Sequence, residues 1–132
     1  MRQVYLIGIG MGNPDLLTVR ARKIIENSDC LIGAKRMLEA VQEICRPEAE
    51  RTVSFQNEEI ARLIDRQPQG SFISVLLSGD VGFYSGAKKL ADILKKDGYE
   101  VQIFPGISSV IYLAAKLGKS WEDAKILSMH GR

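Results

Sequence analysis

Three loops marked by glycine or proline hold most of the residues in this chain that could do chemistry, and each follows an apolar run. The first is Gly8-Ile9-Gly10-Met11-Gly12-Asn13-Pro14-Asp15-Leu16-Leu17-Thr18, at the end of a run from Val4 to Ile9. Glycines placed there mean a tight backbone turn or the close approach of another group. A dinucleotide fingerprint would space them G-x-G-x-x-G and open its helix inside the motif, so that the helix N-terminus meets a pyrophosphate. Here the third glycine comes one residue early, Asn13 stands at the fingerprint's last position, and Pro14 and Asp15 lengthen the loop. Such a wide lip suits a bulky ligand better. The second loop, Ser78-Gly79-Asp80-Val81-Gly82-Phe83-Tyr84-Ser85, sets two glycines around an acid and an aromatic pair before a helix. Its glycines bare backbone amides and carbonyls and its aromatics can wall a flat ligand; Asp80 can equally be a helix cap. The third, Pro105-Gly106-Ile107-Ser108-Ser109, offers Ser108 as an N-cap or as part of an anion seat. No lysine follows a glycine with P-loop spacing in any of them, which argues against a nucleotide triphosphatase.

Outside these loops the chemistry thins out. Lys35 and Arg36 follow Gly33-Ala34 and read either as anion-pairing groups or as a solvated helix start. His130 is the only histidine, in a tail that ends at Arg132, and Trp121 reads as a packing residue. Cys30 and Cys45 have neither metal-ligand nor C-x-x-C spacing, so they read as two reduced thiols and no metal site is expected.

The elements that must position these loops alternate regularly. Strands are expected at Val4–Ile9, Cys30–Ile32, Arg51–Phe55, Phe72–Leu77, Glu100–Phe104 and Ala124–Ser128. Helices are expected from a Thr18 cap to about Asn27, and from about Ala34 through Met37, Leu38, Val41 and Ile44 to a stop at Pro47. Others run through Ile60, Leu63 and Ile64 to Pro68, through Ala87, Leu90, Ala91 and Leu94 to a left-handed cap at Gly98, and from Ser108 to Leu117. Alternation of this kind implies an α/β fold: an open, mainly parallel sheet with helices on both faces. Ligands of such sheets bind beyond the carboxyl ends of the strands, where all three loops fall.

Composition sets outer bounds. The 132 residues suit one domain, and 45% hydrophobic and 26% charged residues are ordinary for a globular protein. A net charge of +2 with no basic block argues against a nucleic-acid partner; Lys88, Lys89, Lys95 and Lys96 are interleaved with Asp92 and Asp97. No run reaches the roughly 18 apolar residues of a membrane span, and no secretory cleavage pattern opens the chain. A cytoplasmic location is expected.

Taken together, Gly-x-Gly-x-Gly-x-Pro-x-Leu-Leu-Thr, Ser-Gly-Asp-x-Gly-Phe-Tyr-Ser and Pro-Gly-Ile-Ser-Ser resemble the tetrapyrrole methylase family of S-adenosylmethionine-dependent methyltransferases, in order and spacing along essentially the whole chain. Gly33-Ala34-Lys35-Arg36-Met37-Leu38 and Leu127-Ser128-Met129-His130-Gly131-Arg132 are similar to the precorrin-6Y/cobalt-precorrin-7 C5-methyltransferase branch. Many members carry proline where Met11 and Val81 stand, which bears on substrate choice more than on fold. Members also have a second α/β domain, with the donor in the cleft between the two. On that reading residues 1–132 are the N-terminal domain, the C-terminal domain lies outside this sequence, and the chain alone is an incomplete catalyst.

The resemblance implies roles. Ser78, Gly79, Asp80, Phe83, Tyr84, Ser85, Ser108 and Ser109 would hold S-adenosylmethionine, with Asp80 accepting from ribose hydroxyls or an ammonium. Gly10, Met11, Gly12, Asn13 and Asp15 would form a trough for a corrinoid substrate, and Lys35, Arg36, His130 and Arg132 would meet its carboxylates. His130 reads either as a general base or as an end-of-chain loop histidine with no catalytic part. A homodimer is implied, and in some relatives a separate domain acts at C-15 with decarboxylation. Two rivals stand beside this reading: a sibling tetrapyrrole branch, and a non-catalytic nucleotide-binding module. Against the second, Gly33-Ala34-Lys35 occupies the place where a ribose-binding acid would end strand two.

Overall fold

A computed structural model describes residues 2–10, 13–78, 87–107 and 109–118. The strands are β1 (Gln3–Gly8), β2 (Cys30–Gly33), β3 (Glu50–Val53), β4 (Ile73–Leu77) and β5 (Glu100–Phe104), and the helices are α1 (Val19–Asn27), α2 (Lys35–Ala40), α3 (Asn57–Asp65), α4 (Ala87–Lys96) and α5 (Ser109–Leu117). The strands form one sheet in the order β3-β2-β4-β1-β5, and every pairing is parallel. The expected α/β architecture is therefore the observed one. The expected strand at Ala124–Ser128 lies outside the described residues.

The central strands are apolar on both faces, as a doubly covered sheet requires. Ile7, Leu31 and Leu76 pack against Ala21 and Ile25 of α1 and Leu38 of α2. Val4, Leu6, Ile32 and Val75 pack on the opposite face against Ile60 and Ile64 of α3 and Leu90 and Leu94 of α4. This division follows from handedness. The crossovers β1-α1-β2 and β2-α2-β3 step one way along the sheet, and β3-α3-β4 and β4-α4-β5 step the other way, so right-handed connections place the two pairs of helices on opposite faces.

Local signals explain most boundaries. The Thr18 hydroxyl accepts from the Ala21 amide at 3.1 Å and starts α1. Ahead of it Pro14–Leu16 form a single 3-10 turn, capped by the Asn13 side chain, which accepts from the Asp15 amide at 3.0 Å. α4 ends at Gly98, whose φ of +91° is the left-handed cap expected there; the Tyr99 amide closes back onto the Leu94 carbonyl at 3.0 Å. α2 is shorter than its apolar spacing predicts. It closes at Val41, and the Cys45 amide reaches the Val41 carbonyl at 3.0 Å through a run of turns that keeps Val41 buried. β3 ends at Val53 rather than Phe55. Among the described residues no helix is long and apolar enough to cross a membrane.

Candidate functional site

The strand order gives the site its position. β1 and β4 are neighbours, yet the chain leaves β1 for the α1 face and leaves β4 for the α4 face. Two loops that part in this way open a crevice at the carboxyl edge of the sheet, the topological switch point of an open α/β sheet. The loop after β1 is the triple-glycine loop, and the loop after β4 opens with Ser78. β5 lies on the other side of β1, so the Pro105-Gly106-Ile107 loop borders the same place. Motifs separated by about 70 and 30 residues in sequence thus share one edge of three adjacent strands.

The first and third loops also touch. Gly10 is buried and has a φ of +67°; a Cβ built on it would lie 3.5 Å from the Ile107 carbonyl oxygen and 3.6 Å from the Ile107 nitrogen. The left-handed backbone is the reason for a glycine here, since those distances are ordinary contact. One residue earlier, the Ile9 amide donates to the Leu77 carbonyl at 2.9 Å and ties the loop's root to the end of β4. The crevice therefore begins from a fixed base.

Of the other residues singled out by sequence, Ser78 is exposed at the end of β4, and Asn13 and Asp15 are exposed on the 3-10 turn after the glycines. The Asn13 side-chain oxygen is spent on its cap. Lys35 and Arg36 are exposed at the start of α2, directly after Gly33, and β2 adjoins β4 on the side away from β1. They stand at the same edge as Ser78. Ser109 opens α5. Met11, Gly12, Gly79, Asp80, Phe83, Tyr84, Ser85, Ser108, His130 and Arg132 lie outside the described residues, as does Trp121.

Among the described residues, the groups with displaced titration belong to the interior or to the opposite edge. Asp29, just ahead of β2, is held below its ordinary carboxylate value by the Phe72 amide, which donates to it at 2.8 Å, and by Arg46. Burial pushes the Cys30 thiol up to about 12, with Glu50 and Asp29 adding to it. Tyr99, just ahead of β5, is pushed up to about 12 by burial and by Asp65, to which its hydroxyl donates. These groups fasten the amino edge of the sheet. The described part of the carboxyl edge offers backbone, hydroxyl, carboxylate and cation, groups that can hold and orient a ligand.

A groove of about 490 Å³ lies elsewhere, along α1, lined by Val19, Arg20, Lys23, Ile24, Asn27 and Phe72. It follows the flank of the sheet where Tyr5 stacks on Phe72 at 4.5 Å and the Arg20 guanidinium sits over the Phe104 ring. Neither feature was apparent from periodicity, because it joins α1 and β1 to Phe72 and Phe104, which are distant in sequence. It is not the crevice between β1 and β4.

Comparison with known proteins supplies the remaining findings. The profile of the Tetrapyrrole (Corrin/Porphyrin) Methylases matches residues 3–132. A probable cobalt-precorrin-7 C(5)-methyltransferase from Methanocaldococcus jannaschii is 34% identical over 134 residues, covering 98% of this chain and 61% of the relative. A solved cobalt precorrin-4 methyltransferase superposes with a TM-score of 0.79 at 28% identity, over 88% of this chain and 50% of that one. A uroporphyrin-III C-methyl transferase from Thermus thermophilus, complexed with S-adenyl homocysteine, superposes with a TM-score of 0.72 at 27% identity, over 86% and 48%. The chain thus spans about half to three fifths of these relatives.

Proposed function

From the premise that this chain belongs to the tetrapyrrole (corrin/porphyrin) methylase family, we propose that it is the donor-binding half of an S-adenosylmethionine-dependent methyltransferase acting on carbon of a corrin precursor. The observation that supports this reading is that the three family loops follow β1, β4 and β5, adjacent strands that flank the switch point. The described residues fit such a donor. Gly10 presents main chain with no Cβ in a cradle bounded by Ile107 and Leu16, and Ser78 stands exposed on the facing side. Within the proposal Gly79, Asp80, Phe83, Tyr84, Ser85, Ser108 and Ser109 complete the donor seat, and Asp80 accepts hydrogen bonds from ribose hydroxyls or the ammonium group.

When bound, the donor supplies a sulfonium methyl group, which leaves by in-line displacement and needs no acid at the leaving sulfur. The protein's task is alignment, worth up to about 7–11 kcal/mol of barrier when the reacting atoms are held near contact. The triple-glycine loop holds one wall and the Ser78 loop the other. Lys35 and Arg36, together with His130 and Arg132, pair with acceptor carboxylates, and His130 takes the proton from the methylated carbon. The residues 1–132 form the N-terminal domain in this proposal, and a C-terminal domain closes the cleft.

For the substrate we favour cobalt-precorrin-7 or its aerobic counterpart, methylated at C-5. Support comes from the 34% identical relative of that name and from the Gly33-Ala34-Lys35-Arg36 and Met129-His130-Gly131-Arg132 signatures. The precorrin-4 and uroporphyrin-III relatives favour a sibling branch as the second reading. A cytoplasmic homodimer, joined in some settings by a C-15-acting domain, completes the proposal; exposed Ile103, Ile111, Leu113 and Leu117 supply apolar surface for association. The test is calorimetric titration with S-adenosylhomocysteine, with NAD as control. Saturable binding of the first alone, abolished in Asp80→Ala, is the expected result, and binding of NAD instead would replace this reading with that of a dinucleotide module.

A further inference from the structure

Phe55 is the most exposed large apolar residue described, at 76%. It occupies the position just before Gln56, the N-cap of α3. An apolar residue there ordinarily staples onto the residue four places into the helix. That residue is Ile60, which is 2% exposed and packed with Ile32, Val75 and Leu90. The core closes over Ile60 without Phe55, so packing of α3 does not account for an aromatic ring at this position.

The position itself is fixed. β3 pairs with β2 up to Val53 opposite Gly33, and the Ser54 amide adds one more rung by donating to the Gly33 carbonyl at 3.0 Å. Phe55 therefore emerges from a rigid sheet edge. Counting from the Gly33–Val53 rung, Phe55 lies two residues on along one chain and Lys35 two residues on along its neighbour, followed by Arg36. The exposed cations leave the carboxyl edge one strand beyond the Ser78 loop, and the exposed ring leaves it on the next strand out at the same register level. An exposed apolar ring one strand away from two exposed cations is the complement of a broad, flat, conjugated molecule with a carboxylate rim.

We infer that Phe55 is a substrate-specificity residue, a platform for the face of the macrocycle whose acetate and propionate groups pair with Lys35 and Arg36. This deepens the proposed function and rests on it. Stacking of this kind has a roughly 3- to 10-fold effect on affinity. The test titrates the chain with uroporphyrin, a stable aromatic polycarboxylate macrocycle, and follows phenylalanine ring signals by nuclear magnetic resonance, with Phe55 assigned through Phe55→Leu. The macrocycle's ring current should move the Phe55 signals upfield, Phe55→Ala should weaken binding about 3- to 10-fold, and Phe55→Trp should retain it. Shifts confined to Phe72 and Phe104, unchanged affinity in Phe55→Ala, or no response from any ring would overturn the inference. A parallel titration with S-adenosylhomocysteine separates the outcomes: donor binding that survives while Phe55 stays silent removes the platform and leaves the methylase reading in place.

Discussion

At the scale of single residues, two glycines show how differently one amino acid can be required. Gly10 needs its left-handed φ, and a Cβ there would meet Ile107 and Leu16 only at ordinary contact distance. Gly33 has no unusual φ, but an added Cβ would lie 3.1 Å from the Leu76 Cβ and 3.3 Å from the Leu76 carbonyl oxygen. Gly33→Ala should therefore overpack the β2–β4 contact and cost about 1–3 kcal/mol, read as a lower urea midpoint. Cys30 offers a second measurement. With the folded thiol raised to about 12 from an ordinary 9.0, the unfolded chain loses its proton first as pH rises. Tyr99 acts in the same sense above its ordinary 10.0. Both contributions are whole below pH 9 and drain away towards pH 12, so the urea midpoint should fall across that window, and a Cys30→Ala variant should fall less steeply. The turn at Gly10 and the cap at Thr18 were legible, because glycine and hydroxyl positions record backbone demands directly. Phe55 was not legible as a surface residue. An aromatic ahead of a helix reads equally as a staple, and only the burial of Ile60 without it decides the matter.

At the scale of elements, periodicity and punctuation located every described strand and helix, with errors at their ends. Pro68 and Gly98 stop their segments for local steric reasons that act in any context. The ends of α2 and β3 were missed because they depend on tertiary packing: α2 tightens into turns that keep Val41 and Cys45 buried, and β3 stops where β2 has no further partner for it. Two substitutions weigh these contributions. Thr18→Ala removes the hydroxyl that caps α1 and should cost about 1 kcal/mol. Leu90→Ala in α4 opens a cavity beneath a fully buried position and should cost about 2–5 kcal/mol. Chemical denaturation of the two variants would show the ordering, and near-equal losses would mean that α4 packs less tightly than its burial indicates.

At the scale of the whole molecule, the sheet order was the one decisive feature not legible in the sequence. Strand–helix alternation gives a parallel sheet, but many orders satisfy it; β3-β2-β4-β1-β5 is selected by which apolar faces cover one another. That order brings the starts of three separated loops to the ends of three adjacent strands. The most direct test is to map S-adenosylhomocysteine onto the chain by backbone amide shifts. The account predicts shifts clustered after β1, β4 and β5, at Gly8–Thr18, from Ser78 onward and at Gly106–Ser109, with the amino edge around Asp29 and Tyr99 silent. Shifts centred instead on Arg20, Lys23 and Phe72, in the groove beside α1, would contradict a donor seat at the switch point.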